Sequence, residues 1–134
     1  MAVPFELLRQ IGLFGGLSDR DLKRIGDAFK ERPFEAGETI ATQGERGIGF
    51  FFISEGHVEY SLDGQKIGTG GPGDYFGEIA LIDDGPRTAT VVGLTDGTAW
   101  GMTMWEFRPL VEEEASIAWE LLQVMARRLR AAGG

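Results

Sequence analysis

Between Arg32 and Thr103, short apolar or alternating runs are cut apart by glycine turns at close, regular spacing. That pattern confines the middle of the chain to short strands wrapped as a sandwich or barrel. Thr39-Ile40-Ala41-Thr42 is one run, and Phe50-Phe51-Phe52-Ile53 is a second, apolar throughout and therefore expected at the centre of a sheet. Val58, Tyr60 and Leu62 alternate with His57, Glu59 and Ser61, so the two sets are expected to face opposite ways. Asp63-Gly64 signals a two-residue hairpin leading into 65–69. Thr88 to Leu94 and Thr98 to Met102 supply two more strands, joined at Asp96-Gly97. The chain's 21 glycines are largely consumed by these turns.

Both flanks are helical in pattern. Residues Pro4 to Lys30 place Phe5, Leu8 and Ile11 at helical spacing until Gly15-Gly16 breaks it. Ser18 then reads as an N-cap, with Asp21 in the capping-box position and Leu17 and Leu22 as a hydrophobic staple. Leu22, Ile25 and Phe29 form one apolar side of the helix that follows. After Met104, a segment carrying Glu106, Phe107, Leu110 and Val111 is interrupted by Glu112-Glu113-Glu114. From Ile117 two stripes coexist, Ile117/Leu121/Val124 and Ala118/Leu122/Met125/Leu129. One buried face needs only the first. The second is deeper core, a ligand lid or a partner surface.

Composition narrows the chemistry. No cysteine is present, so disulfides, thiolate metal sites and cysteine nucleophiles are excluded. The single histidine, His57, falls on the polar side of its strand and reads as a surface residue; rolls of strands that hold catalytic metals need several such ligands. A net charge of −8 opposes nucleic acid or an anionic membrane as a partner. The N-terminus lacks the basic and apolar regions of a signal peptide, and no apolar run approaches the ~20 residues that span a bilayer. A cytoplasmic location is expected.

One stretch carries chemistry. Phe76-Gly77-Glu78-Ile79-Ala80-Leu81-Ile82-Asp83-Asp84-Gly85-Pro86-Arg87-Thr88-Ala89-Thr90-Val91 opens on a glycine turn and closes on an arginine at the start of a strand. A short helix start offers free backbone N–H groups, glycine permits close approach, and an arginine fork matches an oxyanion. These residues describe a small anion site.

The same stretch resembles the phosphate-binding cassette of the cyclic nucleotide-binding domain family: Phe-Gly-Glu, then small or apolar residues and a turn, then Pro-Arg, a small residue, Ala and Thr. The resemblance continues through Phe34-Glu35-Ala36-Gly37-Glu38, Gln43-Gly44-Glu45, Phe52-Ile53-Ser54-Glu55-Gly56 and Gly71-Pro72-Gly73-Asp74. It implies an α+β fold: an antiparallel β-roll, or double-stranded jelly-roll barrel, with N-terminal helices and two C-terminal helices. The implied layout is a single domain over 1–134, with N-terminal helices in 1–30, the roll in 31–103 with its cassette in 76–91, and C-terminal helices in 104–134. It implies no catalysis, no metal and no cofactor, but a ligand, cAMP, with cGMP as the second candidate.

Carried over by position, Arg87 grips the cyclic phosphate and Glu78 accepts from the ribose 2′-hydroxyl. Gly77, Ile79 and Ala80 present backbone N–H groups, and Ala89 lies beside the arginine. Thr88 contacts phosphate or base, without deciding between cAMP and cGMP. Leu81 is either a coupling residue or plain core. The purine cap falls to Arg128 or to Met125, with attraction of the arginine to the helix dipole as the plainer account of Arg128. The implied mechanism has phosphate capture at Arg87 shift Leu81, release Phe107 and Leu110, and close the last helix over the base. Partners implied are an effector protein or domain and a homodimer through the C-terminal helix. The alternative is an interaction module whose nucleotide pocket has degenerated; an intact Glu78 and Arg87 argue against it.

Overall fold

The computed structural model describes residues 3–45, 49–77 and 87–133. Among them lie four helices and eight strands: α1 (Phe5–Gln10), α2 (Asp19–Asp27), β1 (Lys30–Phe34), β2 (Thr39–Ala41), β3 (Gly49–Glu55), β4 (Val58–Leu62), β5 (Gln65–Gly70), β6 (Tyr75–Phe76), β7 (Thr90–Gly93), β8 (Gly97–Thr103), α3 (Met104–Glu113) and α4 (Ala115–Ala131). The strands form two four-stranded antiparallel sheets, ordered β1-β8-β3-β6 and β2-β7-β4-β5. This is a β-roll of the jelly-roll kind with helices at both ends of the chain, as the sequence predicts.

The unbroken apolar run of β3 has a direct cause: both of its faces are covered. Phe50 and Phe52 point with Trp100 and Met102 into a core shared with the helices, alongside Leu8, Phe14, Leu22, Ile25, Phe29 and Ile117. Ile53 and Phe51 point the other way, toward Phe34, Val58, Val91 and Ala99 between the sheets. Alternate side chains of a strand leave on opposite faces, so a doubly covered strand loses the polar alternation of a half-exposed one. Phe14, Phe29, Phe50 and Phe52 meet edge to face at centroid distances of 5.1–6.3 Å. Such pairs add to their area burial.

Local signals place the elements. Asp63 (φ 53°) and Gly64 (φ 81°) both occupy the left-handed region, as a hairpin of this length requires. Ser18 accepts from the Asp21 N–H at 3.2 Å and starts α2, and Leu17 and Leu22 are buried in one cluster. Asp21 does not complete a capping box; its carboxylate instead accepts from Ser116 Oγ at 2.6 Å. A full capping box stands at Thr103 and Glu106, at the head of α3.

Three expectations need adjustment. The first helical stretch stops at Gln10, short of the Gly15-Gly16 break, and Lys30 opens β1 rather than ending a helix; α2 starts at Asp19 behind Ser18 as predicted. The strand predicted from Thr88 begins at Thr90. In α4 the stripe Ile117/Leu121/Val124 is buried, whereas Leu122 and Leu129 are 60% and 67% exposed. Leu122 and Leu129 of the second stripe are therefore not deeper core, whereas Ala118 and Met125 are half-buried. Trp119, beside that stripe, is 64% exposed.

The acidic interruption has a structural use. Glu114, in an extended conformation, separates α3 from α4. Arg20 of α2 pairs with it through both nitrogens at 3.0 and 3.3 Å, and Arg24 reaches Glu113 at 2.9 Å and Glu114 at 3.2 Å. The N-terminal helix thus holds the joint between the C-terminal helices.

Candidate functional site

The site is built where β6 leaves its sheet and β7 enters the other. β6 pairs with β3 through Phe51↔Phe76 and Phe52↔Tyr75, and the Phe51 and Phe76 rings stack at 5.4 Å. Gly77 follows at φ 80°. A side chain there would be strained, and its Cβ would stand 2.5 Å from the Gly49 carbonyl and inside the Arg87 guanidinium. Glycine at this position is what makes room for the arginine.

Arg87 is positioned by its own backbone. Its N–H donates to the Glu45 carbonyl at 2.7 Å, and its carbonyl accepts from the Gly44 N–H at 2.9 Å. Its Nη2 donates to the Gly49 carbonyl at 2.7 Å. Burial lowers the pKa of the guanidinium from its very high ordinary value. A guanidinium stays charged at neutral pH, so the half-buried group is a fixed cation with its fork partly used. The Gly49 bond ends on a neutral carbonyl and does not cancel that charge.

Arg87 also lies in the wall of a cavity of about 520 Å³ that Lys30, Arg32, Ile40, Phe51 and Met102 help to line. That volume is on the scale of small-molecule sites. Lys30 and Arg32 on the same wall are tied to carboxylates, Glu106 at 3.2 Å and Glu38 at 3.1 Å. For Glu106, burial raises the pKa, but the bonds from Thr103 and Lys30 outweigh it and leave the group below its ordinary value.

The other predicted residues divide. Thr88 is exposed and Ala89 half-buried, both between Arg87 and the start of β7. Glu78, Ile79, Ala80 and Leu81 lie outside the described residues. Arg128, half-buried on α4, approaches Gly12 and the Tyr75 side: its Nη2 and the Tyr75 hydroxyl lie 3.4 and 3.6 Å from where a Gly12 Cβ would stand. The structure sets it beside β6, and it is not part of the cavity wall that holds Arg87. Met125 packs, half-buried, against the helical core. Sequence reasoning missed Gly49 as an acceptor and the turn 42–45 as a bracket for Arg87. The latter had a signal, since Gln43-Gly44-Glu45 stood out as a motif without an assigned task.

Comparison with known proteins decides the family. The family model for the cyclic nucleotide-binding domain matches residues 31–114. The chain belongs to the cyclic nucleotide-binding domain family. It is 36% identical over 99 residues to a cAMP-dependent protein kinase regulatory subunit of Yarrowia lipolytica, which covers 74% of this chain and 26% of that protein. It is 31% identical over 130 residues to a CRP-like cAMP-activated global transcriptional regulator of Mycobacterium tuberculosis, covering 93% of this chain and 58% of that one. The chain therefore spans about a quarter to somewhat over half the length of these relatives. Among solved structures, the N-terminal domain of a transcriptional regulator from Streptomyces coelicolor superposes with a TM-score of 0.89 at 28% identity, over 95% of this chain and 92% of that one. In this domain Gly77, Gly49 and Arg87 together hold a half-buried guanidinium against a main-chain carbonyl, in space that a side chain at residue 77 would fill.

Proposed function

We propose that this domain is a sensor that binds cAMP, with cGMP as the weaker candidate, and passes on the bound state through α3 and α4. The observation that carries the reading is Arg87: a half-buried guanidinium placed by two main-chain bonds beside a glycine that only an unsubstituted backbone tolerates. Its fork suits two oxygens of a cyclic phosphate. Glu78 takes the ribose hydroxyl, Gly77, Ile79 and Ala80 turn N–H groups to the phosphate, and Thr88 and Ala89 contact the ligand beside Arg87. Arg128 covers the base from α4. The names of the relatives, cAMP-dependent and cAMP-activated, support cAMP as first choice.

The ligand acts by binding one arrangement of the helices better than another, since a ligand shifts an equilibrium only by its differential affinity. The α3–α4 joint at Glu114, held by Arg20 and Arg24, is the element available to shift. The domain is a cytoplasmic regulator without catalysis, and its output is contact with an effector. Titration calorimetry with cAMP, cGMP and 5′-AMP tests the reading: cAMP binds best and 5′-AMP, lacking the ring, binds weakest. Equal affinity for cAMP and 5′-AMP would overturn it.

A specific observation favours a protein contact on α4 as part of the output. Trp119, Leu122 and Leu129 stand 60–67% exposed along one helix, and a second copy of the chain is the partner proposed for them. Sedimentation of the Leu129→Glu chain tests this. A dimer that persists unchanged removes α4 as the interface, and a monomeric parent chain removes the homodimer.

A further inference from the structure

Arg87 is held by the turn 42–45, and that turn is itself held from outside. Gln43 makes the outside link with both ends of its side chain: Nε2 donates to Asp63 Oδ1 at 2.8 Å, and Oε1 accepts from the Asp63 N–H at 2.8 Å. Its own backbone N–H donates to Thr90 Oγ1 at 2.9 Å. The next two residues grip Arg87, Gly44 at its carbonyl and Glu45 at its N–H. The turn therefore touches both ends of the four-residue stretch Arg87–Thr90 that leads into β7. Asp63 sits at the tip of the β4–β5 hairpin in a left-handed backbone conformation (φ 53°), and both its N–H and its carboxylate meet Gln43.

We infer that Gln43 is a positioning residue for the ligand-binding arginine: its two-point clip to Asp63 anchors the turn that sets the Arg87 backbone, and so aims the guanidinium. The inference rests on the nucleotide reading for its functional consequence only. The chemistry is specific. Only a side chain offering one donor and one acceptor in a plane satisfies both a carboxylate and an N–H at residue 63. β4 is paired on both sides, by β5 and by β7, so the hairpin is a rigid post rather than a free tip. The clip is exposed and individually weak, but its effect falls on a group whose value depends on aim.

The test exchanges donor and acceptor. Gln43→Glu keeps the shape and the acceptor for the Asp63 N–H, but removes the donor and sets two carboxylates face to face. Adding Asp63→Asn restores an amide donor opposite the new carboxylate, and asparagine tolerates the left-handed backbone. In the full chain without ligand, hydrogen exchange of the Arg87 amide is expected to quicken in Gln43→Glu and return in the double variant. The Leu22 amide, bonded to the Ser18 carbonyl in the distant helix α2, stays unchanged as an internal reference. Affinity for cAMP follows the same order, falling on the order of threefold to tenfold in the single variant and recovering in the double. Unchanged Arg87 exchange in Gln43→Glu, a double variant that does not recover, or an equal rise at Leu22 would overturn the inference. If exchange responds as expected while the parent chain binds no cyclic nucleotide, the positioning role stands and the nucleotide reading falls.

Discussion

Arg87 donates from Nη2 to the carbonyl of Gly49 at 2.7 Å, across a space that the missing side chain of Gly77 leaves open. Three residues far apart in the chain thus share one small volume. The side-chain bond to Gly49 and the main-chain bonds to Gly44 and Glu45 together set the direction of the guanidinium.

Loss of the fork separates charge from geometry. Arg87→Lys keeps a cation but cannot present two parallel donors, and cAMP affinity is expected to fall by at least about tenfold. Arg87→Ala should leave no binding detectable by calorimetry, with the unfolding free energy of the ligand-free chain changed by no more than about 1 kcal/mol. Wild-type affinity in the lysine variant would show that the phosphate does not use the fork.

Gly77→Ala places a methyl against the Gly49 carbonyl in a left-handed backbone. The strain alone is about 1 kcal/mol or more, and the guanidinium must also leave its position. Thermal unfolding is expected at a lower temperature and cAMP binding should be lost with it. A fully stable variant would mean that the backbone relaxes out of the positive-φ region at no cost.

Asp21 is the buried acid of the helical layer, only 4% exposed, and Ser116 Oγ donates to it at 2.6 Å. Ser116→Ala removes that donor while Arg20 remains at 3.3 Å. The expected destabilisation is about 1–3 kcal/mol, the range for a buried acceptor that loses a partner. Urea unfolding should show a lower midpoint with an unchanged slope.

Burial, with Asp74 nearby, pushes the Tyr60 hydroxyl from its ordinary value of 10 up to about 12. The folded pKa is the higher one, so the stability this group contributes is fully present below pH 10. It is lost as pH rises from 10 through about 12. An alkaline titration followed at the tyrosinate absorbance band should show a late phase, absent in Tyr60→Phe, coincident with loss of structure. If the absorbance phase that Tyr60→Phe removes lies near 10 rather than near 12, the raised value is contradicted.

Legibility in the sequence followed the range of each cause. The Asp63-Gly64 hairpin, the Ser18 cap and the Leu17/Leu22 staple are set by neighbours within a few residues, and each was readable. The Thr103-x-x-Glu106 capping box was equally local but lay at a strand-to-helix change, where two periodicities overlap. The partners of Arg20 and Arg24 were not readable, because Glu113 and Glu114 lie some ninety positions away and carry no spacing signal. The same holds for Ser116 and Asp21.

The sequence by itself determined the kind of fold, the family and the residues expected to meet a phosphate, because turn chemistry, strand alternation and a contiguous cassette are all written in short stretches. Only the tertiary structure decided how Arg87 is held. Its anchors Gly44, Glu45 and Gly49 come from another part of the chain, and Asp63, which holds the adjoining Gln43, comes from a third. It also decided that Leu122 and Leu129 are surface rather than core, since a helical stripe does not say which side the rest of the molecule occupies. Hydrogen bonds between remote backbone groups depend on chain crossing, and no residue type announces them in advance.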